Sequence, residues 1–319
     1  KIPKHTGFIL DKSEARQFAE NMPGAYGLLP SARYFSEVFD PPIEFSDDVS
    51  DIYDFRSLYG DSIDSKGEFD RFLLGDSDAR TEPPDEDTDS PNVLDASLLQ
   101  KATDLHEHLD SWTAPEGIKA IQIVGWGLDT IRGIRYDDCD VPLCPDTLRN
   151  LDRELIFVDD GDGTVVVPSA NAMEGVETYY INLPAHNREI RRLRRNREHA
   201  DILEVEPVQT LIENLVEENG NSLPEHISTT KPTSDNTNKH LRFRIHSPVS
   251  LDLYDADDNH TGLIATTSDS DFRRFEAEIP NSYYKEFGEV KYAGASGESP
   301  TKVVLIGPAP GTFTLEIEE

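Results

Sequence analysis

The sequence predicts a mixed α/β domain that is followed by a small all-β sandwich. Short β-type runs alternate with amphipathic helical segments up to residue 216. A polar linker follows at 217–239, and period-two alternation of apolar residues dominates 240–319. We therefore divide the chain into an α/β part at 1–216, the linker, and a β-sandwich.

The composition of the chain excludes some classes of protein. Its 62 acidic and 30 basic side chains give a formal net charge of −32, which repels the phosphates of nucleic acid. No run approaches the roughly 18 consecutive apolar residues of a membrane-spanning helix. The acidity fits a salty habitat, an extracellular location or neither, and the localisation we favour is extracellular or at the cell surface.

The N-terminal residues predict a helix that leads into an acidic excursion. Phe18 to Pro30 combines helical spacing with Pro and Gly, as at the junction of a helix and a packed loop. From Pro41 to Pro91 the composition turns to Asp, Ser and Pro, with a low-complexity core in Arg80 to Asp89. We interpret about 41–115 as a partly mobile cap. Its last part contains an amphipathic helix, whose apolar face carries Leu98, Ala102, Leu105, Leu109 and Trp112.

The next segments alternate between strand and helix. Ile118 to Val124 is a mostly apolar run closed by Gly125-Trp-Gly, which is typical of a buried parallel strand. Val165 to Val167 and Tyr179 to Ile181 are further β-type runs. A helix is predicted after them, on apolar residues spaced by three and four from Val208 to Val216.

Beyond the linker the period becomes two. Leu241, Phe243 and Ile245 alternate with polar residues, and Val249 to Leu253 and Phe313 to Ile317 repeat the pattern. Short alternating strands broken by turn residues predict a β-sandwich.

The most specific local signal is the turn Asp160-Gly-Asp-Gly-Thr-Val. A Gly-Asp-Gly turn at the edge of a strand presents one carboxylate, Asp162, which orients an imidazole and stabilises its protonated form. An ordinary acidic turn has the same composition. Two candidate imidazoles follow downstream, His186 and His199. The order acid then histidine is that of an α/β-hydrolase triad.

Three motifs in order resemble the lecithin:cholesterol acyltransferase-like lipases of the α/β-hydrolase superfamily. They are N-M-P-G-A-Y-G-L-L-P, I-V-G-W-G-L-D-T followed by G-D-G-T-V, and H-x-x-I-L before a terminal helix, and together they span roughly Phe18 to Val216. The resemblance implies that 1–216 is the C-terminal part of an α/β-hydrolase with a cap insertion. It makes Asp162 the triad acid and His199 the base, with His186 as the rival base. It also implies a lipid or small carboxylic ester as substrate. We expect no cofactor and no metal.

The departure from this family is the nucleophile. No G-x-S-x-G occurs, and Gly294-Ala-Ser-Gly is off pattern and follows the acid and base, so Ser296 is interpreted as a turn residue. The chain begins at Lys1 without a signal-peptide pattern, and we expect the Ser elbow to lie upstream of it. The alternative is a non-catalytic scaffold or binding protein that uses the C-terminal β-sandwich on a target we do not identify.

A second lipase-like pattern is weaker. Gly60-Asp-Ser and Gly75-Asp-Ser echo a G-D-S motif whose partner pattern D-x-x-H occurs as Asp257-Asp-Asn-His260. Neither G-D-S follows a convincing buried strand, so we discount this pattern.

Three further groups have open interpretations. The arginines between Arg188 and Arg197 either balance local acidity or contact an anionic head group through Arg194 and Arg195, which would place a lipid surface beside the site. Cys139 and Cys144 form either a small disulfide loop or a free-thiol pair. Asp252, Asp255, Asp257 and Asp258 either bind no metal or form a calcium site, and their spacing does not match an EF-hand.

Overall fold

The computed structural model describes most of the chain. The described residues are 12–46, 52–78, 80–85, 87, 90–138, 151–217, 222–231, 233, 240–246, 249–264, 274–288, 290–296, 300, 302–308 and 310–319. Cys139 and Cys144 lie outside them, as do parts of the predicted cap and linker.

The described residues form a mixed α/β structure with several sheets. The α-helices are α1 Lys12–Glu20, α2 Pro23–Tyr26, α3 Ala32–Glu37, α4 Ile52–Tyr59, α5 Lys66–Leu73, α6 Gly75–Asp78, α7 Ala96–Asp110, α8 Val167–Ala170, α9 Leu183–Glu189 and α10 Glu206–Glu217. Two 3₁₀ helices span Arg191–Leu193 and His199–Glu204. The strands are β1 Ile43–Phe45, β2 Ser62–Ile63, β3 Ile121–Trp126, β4 Thr130–Asp138, β5 Leu151–Val158, β6 Glu177–Asn182, β7 Ile227–Ser228, β8 His240–His246, β9 Ser250–Tyr254, β10 His260–Ile264, β11 Arg274–Ala277, β12 Tyr283–Phe287, β13 Val290–Ser296, β14 Lys302–Ile306 and β15 Thr314–Glu318.

The first sheet has the order β2-β1-β4-β5, and only β1 and β4 in it run parallel. Helices from the predicted cap pack against this sheet around a largely aromatic core. The rings of this core that contact one another belong to Phe45, Phe55, Tyr59, Phe72 and Tyr136. The predicted cap therefore contributes residues to a buried apolar cluster despite its acidic composition.

The second sheet, β3-β6-β7, positions the candidate site. β3 lies parallel to β6, with Trp126 opposite Asn182, so both strands end at the same edge. Tyr179 and Ile181 of β6 pack in one apolar cluster with Val208 and Leu211 of α10, and Ile181 and Val208 are fully buried. α9 begins directly after β6 because the Asn182 side chain accepts a hydrogen bond from the Ala185 N–H at 2.9 Å.

Several predicted elements are confirmed in this part of the chain, and one is wrong. α7, β3, β6 and α10 occur where apolar periodicity predicts them, although β3 begins at Ile121 instead of residue 118. The predicted apolar face of α7 is wrong in its second half, because the helix ends at Asp110 and Leu105, Leu109 and Trp112 are exposed. Val165 to Val167 is not a strand. Val167 begins α8, because Pro168 fits the first helical turn, and the backbone of Val165 closes the turn that contains Asp162.

The C-terminal β region (240–319) consists of two four-stranded antiparallel sheets, β11-β10-β9-β14 and β12-β13-β8-β15. Alternate side chains of β8, β9 and β13 fill one core, which contains Ile245, Leu251 and Leu253 at 0% exposure. The period-two prediction is confirmed here. Ser296 is not in a turn, because it pairs with His240 at the end of β13.

The C-terminal β region contacts the α/β part through the hairpin of β4 and β5. The ring centroid of Phe157 lies 5.1 Å from that of Tyr283 and 5.7 Å from that of Tyr292. The Leu155 N–H donates to the Tyr292 hydroxyl at 3.1 Å, and Arg244 pairs with Glu154 at 2.5 Å. The two parts are therefore joined by a packed interface as well as by the linker.

No helix in the described ranges combines the length and the apolar character that crossing a bilayer requires.

Candidate catalytic pair of aspartate and histidine

Asp162 lies in a tight turn between the end of β5 and α8. The Asp162 N–H donates to the Val165 carbonyl at 3.2 Å, and the Val167 N–H donates to the Asp160 carbonyl at 2.8 Å. The fully buried Thr130 hydroxyl accepts from the Gly163 N–H and donates to the Leu128 carbonyl, both at 2.9 Å. The turn is thus fixed to the chain that leaves β3.

The local geometry requires glycine in both sequence motifs, Gly-Trp-Gly and Gly-Asp-Gly. A Cβ at Gly125 would lie 2.8 Å from the Asp162 Cβ and 2.9 Å from Leu183 Cδ1, closer than real Cβ contacts allow. A Cβ at Gly161 would lie 2.7 Å from the Thr130 Cβ. Gly163 has a φ of +90°, which L side chains rarely adopt. The turn approaches β3 as closely as it does because these side chains are absent.

Both carboxylate oxygens of Asp162 have defined partners. Oδ1 accepts from the N–H groups of Thr164 at 3.1 Å and Val165 at 2.8 Å. Oδ2 lies 2.9 Å from Nδ1 of His199. Asp162 is 4% exposed, so water does not compete strongly for these bonds. The orientation of the carboxylate is therefore set from both sides.

His199 is held by a loop with its own supports. The amide of the fully buried Asn187 donates to the Arg197 carbonyl at 3.1 Å and accepts from the Arg197 N–H at 2.7 Å. The Arg197 guanidinium pairs with Asp201 at 2.8 Å. The His199 N–H itself donates to the Asp162 carbonyl at 2.9 Å. Backbone and side chain of His199 are both attached to Asp162.

The chemistry of the pair follows from its geometry. An ionised Asp162 accepts the proton on Nδ1 of His199, which leaves Nε2 as the basic nitrogen. The imidazole side chain is 48% exposed, and Nε2 has no hydrogen-bond partner among the residues that the structure describes. A buried carboxylate that orients an accessible imidazole is suited to general base catalysis.

The rival histidine does not reach Asp162. His186 lies within α9 at 4% exposure, and its buried Nδ1 has no hydrogen-bond partner in the described part of the chain. Its ring centroid lies 6.4 Å from that of His226. Burial, followed by the charge of His226, lowers the pKa of His186. The structure brings Asp162 together with His199 and leaves His186 in the core behind α9.

The two predicted head-group arginines both have acidic neighbours. Arg194 lies 3.5 Å from Glu278, and Arg195 lies 3.3 Å from Glu204. Both side chains are exposed and lie a few residues from His199. Their contact with a head group stays a prediction.

The four aspartates of the calcium alternative do not converge on one point in the structure. Asp255 accepts hydrogen bonds from the N–H groups of Asp257 and Asn259, both at 2.9 Å, so its carboxylate closes a turn. Asp252 pairs instead with His260 at 2.9 Å. Among the described residues, one group offers three metal-ligand atoms within 4.8 Å of one another, and it consists of Glu189, Glu225 and His226.

A cavity of about 350 Å³ borders the Asp162 turn at residues 164–166. Its walls include Leu28 and Leu109 from the N-terminal helical segments. Neither Asp162 nor His199 lines it. This cavity is therefore distinct from the surface on which His199 is exposed.

Two supporting residues were not predicted from the sequence. Thr130 is the last residue of the motif I-V-G-W-G-L-D-T, and its place in that motif was the available signal. Lys285 lies 122 residues from Gly163, whose carbonyl accepts a hydrogen bond from its ammonium at 3.3 Å. No local pattern in the sequence indicates a contact over that separation.

No protein-family model matches the chain, and no curated protein or solved structure is similar enough to count as a match.

Proposed function

We propose that this chain supplies the acid and the base of a serine-type hydrolase or acyltransferase that acts on lipid carboxylic esters. The observation that carries the proposal is the 2.9 Å contact between Nδ1 of His199 and Oδ2 of Asp162, residues 37 positions apart. The buried acid, its two backbone donors and the accessible Nε2 match what the orienting half of a triad requires.

The surrounding elements support a hydrolase-like arrangement. In an α/β-hydrolase the acid and the base follow late parallel strands of one sheet. Here β3 and β6 are parallel and end level with each other. Asp162 forms a parallel bridge with Leu128 just beyond β3, and His199 follows β6 and α9. Under this proposal 1–216 is the C-terminal part of the hydrolase and 240–319 is an accessory β-sandwich.

The proposed reaction assigns one role to each residue. The proposal requires a nucleophilic Ser from outside the 319 residues, which contain no G-x-S-x-G. The Oγ of this Ser attacks the ester carbonyl while Nε2 of His199 takes the hydroxyl proton. The imidazolium, stabilised by Asp162, then protonates the departing alkoxide. Water or an alcohol, deprotonated in turn by His199, attacks the acyl-enzyme and releases the Ser. Arg194 and Arg195 are exposed and precede His199 by five and four residues, which fits a substrate at a lipid surface.

The test uses the full-length protein, including the residues that precede Lys1. We expect His199→Ala and Asp162→Asn each to lower kcat for a medium-chain ester by about 10⁴-fold, because triad members act as a unit. His108→Ala, on the exposed side of α7, is the control and should retain wild-type kcat.

Two outcomes would contradict the proposal. Full activity in Asp162→Asn would exclude the triad, and full activity in His199→Ala with loss in His186→Ala would reassign the base. Labelling with a fluorophosphonate separates the remaining cases. The full-length protein should be labelled and the 319-residue chain should not. A full-length protein whose elbow lacks a nucleophile would favour the scaffold alternative.

A further inference from the structure

The C-terminal β region contacts both segments that carry the Asp162 and His199 pair. Lys285, on β12, donates to the Gly163 carbonyl at 3.3 Å. Asn196, three residues before His199, donates from its amide to three backbone carbonyls of the C-terminal β region and accepts from the Asn281 N–H at 2.9 Å. These contacts connect two regions that the linker separates by sequence.

The Lys285 contact falls on one peptide group of particular importance. The Gly163 carbonyl and the Thr164 N–H belong to the same peptide unit. The carbonyl accepts from Lys285, and the N–H donates to Oδ1 of Asp162 at 3.1 Å. The two hydrogen bonds hold this peptide from both sides, so Lys285 helps to fix the position of the N–H that orients the Asp162 carboxylate. Lys285 thereby acts on the carboxylate that orients His199.

The surroundings of Lys285 favour this role over a solvated surface charge. The side chain is partly buried, and burial lowers its pKa, which the carboxylates of Glu198 and Asp129 only partly offset. Asp129 is itself engaged by Arg242, with Nη2 to Oδ1 at 2.9 Å and Nε to Oδ2 at 3.2 Å. The Gly163 carbonyl is the hydrogen-bond acceptor that the structure gives the ammonium.

We infer that the C-terminal β region is part of the machinery that orients the catalytic pair, with Lys285 as a positioning residue that acts through the peptide between Gly163 and Thr164. The inference rests on the proposed function for its catalytic meaning. Its physical content is independent of activity, because it concerns the tautomer of His199. With Asp162 correctly oriented, the neutral imidazole carries its proton on Nδ1, whereas a free imidazole favours Nε2.

The experiment measures that tautomer in the 319-residue chain by ¹⁵N NMR of labelled histidines at alkaline pH. We expect Lys285→Met to lower the ratio of Nδ1–H to Nε2–H in His199 by roughly 1.5- to 5-fold, because the peptide that fixes the orientation of the Asp162 carboxylate loses one of its hydrogen bonds. Lys285→Arg keeps the charge and the donor and should retain the wild-type ratio.

A matched control separates positioning from docking of the β region. Arg244→Met removes another cation of the same interface, which pairs with Glu154 away from the Asp162 turn. Because Arg244 also pairs with Glu316, this variant should lower the urea midpoint at least as much as Lys285→Met and leave the His199 tautomer unchanged. Any of three results would overturn the inference. Lys285→Met could keep the wild-type tautomer ratio, Arg244→Met could shift the ratio as Lys285→Met does, or Lys285→Arg could lose the wild-type ratio.

Failure of this inference is distinguishable from failure of the proposed function. If full-length His199→Ala is fully active but Lys285→Met still shifts the tautomer, the positioning role stands and the hydrolase proposal falls. If the triad variants are inactive and Lys285→Met has the wild-type tautomer, the hydrolase proposal stands and the positioning role falls.

Discussion

Replacement of Gly125 by Ala tests whether the close approach of β3 to the Asp162 turn is required. The added Cβ would lie 2.8 Å from the Asp162 Cβ, 2.9 Å from Leu183 Cδ1 and 3.2 Å from Ile202 Cδ1. The two Cδ1 atoms end flexible side chains and can rotate away. The Asp162 Cβ is attached to a turn held by backbone hydrogen bonds, so relief of that contact must displace the turn.

The size of the effect follows from two opposing contributions. Overpacking of a filled core costs about 1–3 kcal/mol. Replacing Gly by Ala also restricts the unfolded chain, which stabilises by about 0.4–1 kcal/mol. We therefore expect Gly125→Ala to lower the free energy of unfolding by roughly 0.5–2.5 kcal/mol. The displaced Asp162 should also lose part of its hold on Nδ1 of His199.

The assay combines urea unfolding with the His199 tautomer measurement. Gly67→Ala is the matched control, because a Cβ at Gly67, in α5, meets no atom within 4 Å. That variant should be as stable as wild type or more stable by about 0.4–1 kcal/mol, with an unchanged tautomer. If Gly125→Ala keeps both the stability and the tautomer of wild type, the steric argument for the G-W-G motif is refuted.

Two further predictions concern the supports of the His199 loop. Asn196→Ala removes the amide that bonds the Ala277, Ile279 and Ser282 carbonyls and leaves the Asn281 N–H without its partner, although the Ile279 carbonyl keeps its bonds from Ser282. We expect a loss of about 1–3 kcal/mol in urea unfolding, whereas Asn21→Ala, the control at an exposed asparagine, should change stability by less than about 0.5 kcal/mol. His186 has a lowered pKa in the folded state, so as the pH falls through about 6.5 the unfolded chain takes up the proton first and stability decreases. His186→Gln should flatten the decline of the urea midpoint between pH 7.5 and 5.5, and an unchanged slope would contradict the assignment.

The sequence predicted elements well where one periodicity dominated. The first half of α7, α10, β8 and β9 follow from spacings of three and four or of two, because each of them packs one face against a core. In the second half of α7 the same spacing misleads, because Leu105 and Leu109 are exposed. Val165 to Val167 was misassigned since β-branched residues favour strands, whereas Pro168 and the backbone bonds of the Asp162 turn decide the local structure. The propensity of three residues was outweighed by these local constraints.

For the candidate site, the sequence identified the acid but left two histidines as candidates for the base. The Gly-Asp-Gly turn identified Asp162 because steric crowding at Gly161 and the positive φ of Gly163 require glycines, which the sequence shows as a motif. The choice between His186 and His199 depended on which loop returns to the turn, and that is fixed by bonds such as the Asn187 amide on the Arg197 backbone. Such long-range amide contacts leave no periodic signal in the sequence.

The interface between the two parts did leave a signal, in β13. Val290 and Tyr292 are 2% and 4% exposed and lie on one face of the strand, while Ala293 and Ala295, on the other face, are 0% and 1% exposed. A strand in an isolated two-sheet structure buries one face and leaves the other polar. Apolar residues on both faces of β13 therefore require a cover from outside the C-terminal β region, and the hairpin of β4 and β5 provides it. The same contact brings β12 and Lys285 to the Asp162 turn, so the packing that buries Tyr292 also supplies the cation on the Gly163 carbonyl.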